Sequence, residues 1–448
     1  MDTLQKAVRL FALIAFSLGV LGTMGGNGFI AAAHIAIVAS LLGYVFLRFR
    51  GVKELGSGPR YVLAKGLPFR PSMVALAFIL VSYFLSIVMN WESYDKPLKD
   101  IKKLRYEGIV LLLLLVPCFR GMLYRNQKLH KLGFWLAWIG VVGVAVAGLI
   151  GMKTGYHPLL MESPEYQTTL DGVSGTLMSY AYTLQFFVLL TASLLVDSIV
   201  GRDWAKRIIR PRWGRLIFLT ATLIFITWAL YLTYRRGPAV GVVVGGICLL
   251  VLARNMKLSI ACAVLAMGAL VIGYQTNARQ FHNFSSNDGF ELKTDNIRVS
   301  QWKTASVVFL ENPVFGVGHR QFEKQCAKLK EKYGMEPDFE GSYYGSHAHN
   351  NFAEAFASNG FLGGFSLIAF CIFWVRELYR SKHAKLYFLP VVWAFIVSGF
   401  FENTFTDSEV LHTIMILYLF SQMALDAEME TGEKSNIQEG GKEIAPGI

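Results

Sequence analysis

This sequence predicts an all-α polytopic membrane protein, and three observations carry that prediction. Of its 448 residues, 54% are hydrophobic and only 17% charged, and the mean hydropathy is positive. An ordinary soluble domain has about 25% charged residues and could not bury so much apolar surface. The apolar residues also come in runs of the roughly 20 residues a helix needs to cross the hydrocarbon core. Finally, the basic residues collect in alternate loops between those runs, the positive-inside pattern.

Runs bounded by Lys, Arg, Gly and Pro predict about 12 transmembrane helices, near 7–22, 28–47, 71–90, 108–124, 132–151, 175–197, 214–232, 238–253, 257–275, 350–375, 386–402 and 409–425. Residues 1–25 lack a small-residue cleavage site followed by a polar stretch, so the first run reads as a span. With the N-terminus inside, the inner loops 48–70, 120–131, 198–215, 254–257 and 376–385 carry six, four, six, two and four Lys or Arg. The outer loops 152–174 and 402–409 are neutral or acidic. Loop 91–107 runs against the pattern with Lys96, Lys99, Lys102, Lys103 and Arg105, offset by its four acids or facing anionic head groups.

The chain then divides into residues 1–275 with helices 1–9, a large outer loop domain at 276–349, residues 350–425 with helices 10–12, and a tail at 426–448. The tail is polar, acidic and Gly-containing, which predicts disorder. Inside the large loop, Arg298 to Leu310 reads as a helix halted by Asn312 and Pro313, and Gln321 to Lys332 as a second stopped by Gly334. In the second, Phe322, Cys326 and Leu329 follow helical spacing between lysines. Such a helix either lies flat on the outer leaflet or packs on the bundle as a lid.

The net charge of +12 is dispersed among inner loops, so it reports topology, and nucleic-acid binding is excluded. The five cysteines show neither a disulfide framework nor metal-ligand spacing.

Chemistry concentrates in the polar run from Ser346 to Asn351, which includes His347, His349 and Asn350 and is followed by Glu354. Such a density of polar groups beside a bilayer marks function. The apolar pattern puts His349 in the first turn of the tenth span, where the helix dipole and unpaired N–H groups disfavour a charged imidazole and leave it able to accept a proton. The plain alternative is a histidine that only caps the helix. His347 either orients a substrate or hydrogen-bonds its own loop. Glu354 either steers the imidazole or pairs elsewhere in the bundle.

Arg235 and Arg236, followed by Gly237 and Pro238, stand between two apolar runs on the predicted outer side. They either snorkel to lipid phosphate or grip a phosphate or diphosphate by charge-assisted hydrogen bonds, which suit arginine better than lysine. Arg298, four residues before Trp302, is by itself an ordinary arginine on an amphipathic helix. Metal-dependent transfer would need carboxylates gathered near the site, and the outer loop offers as a close pair only Asp338 and Glu340, which read as a solvated turn, so no metal is expected.

These residues carry a resemblance. His349 and Asn350, nine residues, Gly360, two residues and Gly363 together resemble the His-Asn/Ser/Gln-x9-Gly-x2-Gly/Thr/Tyr pattern of the O-antigen ligase family. Its superfamily also holds O-antigen polymerases and bacterial protein O-oligosaccharyltransferases. Arg236 and Gly237 resemble the superfamily's Ser-Arg-Gly, with Arg235 in place of the serine. Arg298, Trp302 and Ala305, followed by Asn312, Pro313, Gly316 and Gly318, resemble its Arg-x3-Trp and Asn-Pro-x2-Gly-x-Gly stretch.

The resemblance implies a glycosyltransferase of lipopolysaccharide biosynthesis, multi-pass in the bacterial inner membrane, with its active site on the periplasmic side. An undecaprenyl-diphosphate-linked polysaccharide would give its reducing-end sugar to a hydroxyl of lipid A-core oligosaccharide, with inversion. His349 would be the base, and Arg235, Arg236 and Arg298 would bind the diphosphate. His347, Asn350, Glu354 and Trp302 would have secondary roles. No cofactor and no metal is implied, and membrane lipids are the remaining partners. An O-antigen polymerase uses the same donor and is the alternative. The short stretch after the last span favours ligase over the protein O-oligosaccharyltransferases, which add a C-terminal domain. A transporter or flippase would instead place its charges and broken helices near the midplane.

Overall fold

A computed structural model describes residues 2–25, 27–50, 70–101, 104, 127–161, 170, 177–200, 211–257, 259–261, 264, 289–338 and 341–440. No β-strand occurs among them. The helices are, in order, α1 (Asp2–Gly25), α2 (Asn27–Phe49), α3 (Pro71–Met89), α4 (Gln127–Thr154), α5 (Leu177–Val200), α6 (Arg212–Leu232), α7 (Arg236–Ala253), α8 (Gly289–Glu311), α9 (Gln321–Lys332), α10 (Asn351–Arg380), α11 (Ala384–Ser398) and α12 (Ser408–Gly440). Every predicted span meets one of these helices except 108–124 and most of 257–275, which lie outside the described residues.

Six helices, α3 to α7 and α10, contain a stretch long and apolar enough to cross a bilayer. The expected count of twelve is therefore met only by these six among the described residues. Two of the others, 108–124 and most of 257–275, lie outside the described residues, while α11 has 15 residues and the apolar part of α12 runs only from Val410 to Asp426.

α10 is the element on which the site is built, and it is broken. Gly360 sits at φ 65°, ψ −159°, dividing a nine-residue half-helix from the longer apolar segment. A Cβ at Gly360 would lie 2.3 Å from the carbonyl oxygen of Val314, so only glycine fits. The backbone groups released by the break are taken up by the segment after α8. Val317 N–H donates to Ala357 O at 3.0 Å, Gly318 N–H to Ser358 O at 3.1 Å, and Phe361 N–H to Pro313 O at 2.7 Å. Ser86 Oγ of α3 donates to both Phe315 O and Ser358 O at 2.8 Å. Irregular backbone at membrane depth is tolerated only where protein satisfies it in this way. The Asn312 to Gly318 motif thus serves as the splint for the α10 break.

α7 carries Gly237, Gly241 and Gly245 at four-residue spacing, a small-residue stripe that lets neighbouring helices approach closely. A Cβ would lie 2.3 Å from the Tyr182 hydroxyl at Gly237, 2.3 Å from Gln185 Oε1 at Gly241, and 2.6 Å from the Pro390 carbonyl at Gly245. α5, α7 and α11 are drawn together along this stripe, and the start of α7 is set against Tyr182 and Phe401.

The second loop helix forms where the sequence predicts it, the first begins at Gly289, before the expected Arg298, and α9 packs on the protein. Phe322, Cys326 and Leu329 join Ala305 and Val308 of α8, Ala348 and Ala357 in one buried apolar cluster. At the other terminus α12 continues through Asp426 to Gly440.

Candidate active site

His349 is not in the first turn of α10. It lies before the cap in a left-handed conformation (φ 46°), and Asn350 is the cap, its Oδ1 accepting from the N–H groups of Phe352 and Ala353 at 2.9 and 3.1 Å. The helix dipole is therefore not what governs the His349 ring. A carboxylate is: Nδ1 of His349 lies 2.9 and 3.0 Å from the two oxygens of Glu402.

Glu402 comes from the connection between α11 and α12, and Asn351 fastens that connection to the start of α10. Asn351 N–H donates to Gly399 O at 2.7 Å, its Nδ2 to Thr404 Oγ1 at 3.0 Å, and its Oδ1 accepts from Phe405 N–H at 2.8 Å. Sequence reasoning missed Glu402. It shares a short acidic loop with Asp407 and Glu409, and its signal is a carboxylate between two apolar runs on the same predicted side as the histidines.

Glu402 also binds the second histidine, with His347 Nε2 2.5 Å from Oε1. A carboxylate only accepts, so both ring nitrogens facing it donate. The other nitrogen of His347, Nδ1, is 3.9 Å from Glu323 Oε1 of α9. Burial works against a charge on His347, but the contacts with Glu323 and Glu402 and the fields of Glu402 and Glu354 outweigh it, and its pKa is lifted to about 10. His347 is therefore an imidazolium at neutral pH. Burial likewise opposes charge on Glu402, yet its two imidazole partners hold the carboxyl well below the usual carboxylate range. Glu323 is also lowered, chiefly by His347.

The two rings are 4.3 Å apart and differ in role. His347 has Glu402 hydrogen-bonded at Nε2 and Glu323 at ion-pair range, 3.9 Å, from Nδ1, and the two carboxylates favour its cation. His349 gives only Nδ1 to Glu402, so in its neutral form the lone pair is on Nε2. This is the orienting carboxylate, imidazole and vacant-nitrogen arrangement of a general base.

Neither Glu354 nor Asp338 behaves as a free surface carboxylate. Glu354 is buried, accepting from the backbone N–H of Ala348 at 2.9 Å and from Ser358 Oγ at 2.8 Å, so it fixes the peptide between the two histidines. Asp338, expected in a solvated turn, pairs at 2.7 Å with fully buried Lys330, which also donates to Tyr344 O at 3.1 Å. That pair shapes the loop leading to His347. Glu340 lies outside the described residues.

The arginines approach from two other elements. Arg235 is half-buried at the N-cap of α7, whereas Arg236 is exposed. The Tyr182 hydroxyl is within electrostatic reach of Glu402, Arg298 and Arg235, three charged groups from three separate segments. Nε of Arg235, Nε of half-buried Arg298 and Nε1 of half-buried Trp302 are buried donors without a hydrogen-bond partner among the described residues. Unsatisfied buried donors are uncommon, and positively charged ones suit an anionic ligand.

His347, His349 and Glu402 present ligand atoms within 4.8 Å of one another, a set capable of holding a metal ion that the sequence did not predict. Their nitrogen-to-oxygen distances of 2.5 and 2.9 Å are those of hydrogen bonds. Ligands at about 2.0–2.1 Å from a tetrahedral ion stand roughly 3.3 Å apart. The rings would have to separate from the carboxylate to accept a metal, so the set fits proton-sharing better.

No curated protein matches the chain. Residues 221–368 match the family model described as O-antigen ligase, a region that contains Arg235, Arg298 and both histidines and ends before Glu402. With the site residues so arranged, that match supports assignment of the chain to the O-antigen ligase family.

Proposed function

We propose that this protein is an O-antigen ligase: an inverting, metal-independent glycosyltransferase of the bacterial inner membrane. It moves polysaccharide from undecaprenyl diphosphate to a sugar hydroxyl of lipid A-core at the periplasmic face. The observation that carries this reading is the pairing of an oriented imidazole, His349 on Glu402, with buried unpartnered guanidinium donors on Arg235 and Arg298 around the same tyrosine.

In the transfer, the acceptor hydroxyl gives its proton to Nε2 of His349 while its oxygen attacks the anomeric carbon of the donor sugar. The bond from that carbon to the diphosphate oxygen breaks, and its electron pair leaves with the lipid diphosphate. Arg235 and Arg298 stabilise the charge that grows there, the largest single contribution in many such reactions. Glu402 stabilises the imidazolium formed on His349, and the proton is then released to solvent. A base in this position contributes roughly 10²–10⁴-fold. Arg236, being exposed, acts at the membrane surface or in donor entry and does not touch the reacting atoms. Attack opposite the leaving group inverts the anomeric centre.

Reconstitution tests this directly. Purified protein in vesicles, with synthetic lipid-diphosphate-linked glycan and rough lipopolysaccharide but no nucleotide, is expected to yield glycosylated lipopolysaccharide of inverted configuration, undiminished by chelators. Retention of configuration overturns single displacement, and abolition by chelators overturns metal independence. Growth of the glycan on its own lipid carrier, with lipopolysaccharide unmodified, identifies a polymerase instead.

A further inference from the structure

On α8, between Arg298 and the apolar cluster that holds Ala348, lies Gln301. It is fully buried, and neither its amide nitrogen nor its amide oxygen has a hydrogen-bond partner among the described residues. Arg298 is three residues before it and Ala305 four residues after, so all three share one helix face. That face meets Phe322, Ala348 and Ala357 through Ala305 and Val308. The adjacent Trp302 adds an unpartnered indole N–H. Most buried polar groups are satisfied, and a carboxamide with both ends unmatched needs a reason.

The chemistry of the missing partner follows from the carboxamide, which donates at one atom and accepts at the other. A phosphate oxygen only accepts and would answer half of it. A hydroxyl or an acetamido group both donates and accepts, and a sugar attached to a diphosphate held by Arg298 would bring such a group within a helical turn. We propose that Gln301 is a specificity-determining residue that reads a hydroxyl or acetamido group on the first sugar of the lipid-linked donor. This rests on the reading that Arg298 holds the diphosphate.

The test uses the full-length protein in vesicles, a constant acceptor, and synthetic lipid-diphosphate donors whose first sugar lacks one polar substituent at a time. For the wild type, removing one particular substituent is expected to lower kcat/KM roughly 10- to 100-fold, because the buried amide is then left unmatched. Gln301→Met should show a similar loss with the parent donor and no longer distinguish it from that analogue. Equal losses with every donor, no loss with any, or discrimination that follows acceptor analogues instead would each overturn the assignment. Should Gln301→Met fail to fold, the wild-type donor series decides, since indifference to every deletion is incompatible with a reading residue. Transfer without Gln301-dependent selectivity sinks this inference alone, whereas no transfer from any lipid-diphosphate donor sinks the proposed function with it.

Discussion

The two ends of α10 bury polar groups in opposite ways. At its C-terminal end Arg70 donates to Gln422 Oε1 at 2.6 Å and to Asp426 Oδ1 at 2.7 Å, and Glu377 accepts from Ser72 N–H, Ser72 Oγ and Gln422 Nε2. Nearby, Glu428 accepts from Ser381 Oγ and from the N–H groups of Lys382, His383 and Ala384 at the start of α11. Acceptors answer donors throughout this cluster, which locks α3, α10, α11 and α12 together. At the N-terminal end Glu402 and His347 are equally well paired, yet Arg235, Arg298, Gln301 and Trp302 retain unmatched donors. A saturated network specifies a fold, whereas unmatched buried polar groups, two of them cationic, leave hydrogen-bonding capacity unused.

The contrast breaks first at His349. Replacing it with alanine should lower transfer in the reconstituted assay by roughly 10²–10⁴-fold while the protein still folds. Glu402→Gln should fall in the same range, because a carboxamide cannot orient both rings as acceptor. Near-normal rates in either variant would remove the base from the mechanism.

At the saturated end the expected loss is of stability. Arg70→Ala leaves Asp426 buried without its partner and should destabilise the protein by about 3–5 kcal/mol, read as a lowered thermal midpoint. Activity per folded molecule should be unchanged, and a selective loss of turnover would contradict the division between the two ends.

Arg298→Lys is a smaller test of the unmatched end. An ammonium keeps the charge but not the planar fork, so transfer should drop roughly 10- to 100-fold with stability preserved. Retained activity would show that charge alone suffices.

The remaining test is a pH dependence and concerns His347. Its pKa is raised to about 10 in the folded protein, against about 6.5 for an unperturbed histidine. A raised pKa contributes stability that is complete below the unfolded value and declines as pH climbs to the folded one. The difference in thermal midpoint between wild type and His347→Asn should therefore be largest near pH 6 and shrink toward pH 10. A difference that grows with pH would mean that His347 is not the buried cation.

Much of the fold was legible because its signals are local. Apolar run length marked the spans, and Asn312 with Pro313 and Gly334 marked where α8 and α9 stop. The glycines at 316, 318 and 360 stood out in the motif, although their joint purpose, a splint in a broken helix, needed the packing. Asp338 was misread because its partner Lys330 looks, on a lysine-rich helix, like every other lysine.

The residues alone determined that this is a helical membrane protein, that a polar run opens its longest described membrane helix, and which arginines deserve attention. Each of those conclusions depends on neighbours within a few turns. Tertiary structure alone decided that Glu402 meets both His347 and His349, and that Arg235 is half-buried while Arg236 is exposed. Charge state and orientation are set by groups brought within 3 Å from more than fifty residues away, and no local pattern encodes a contact made only when helices pack.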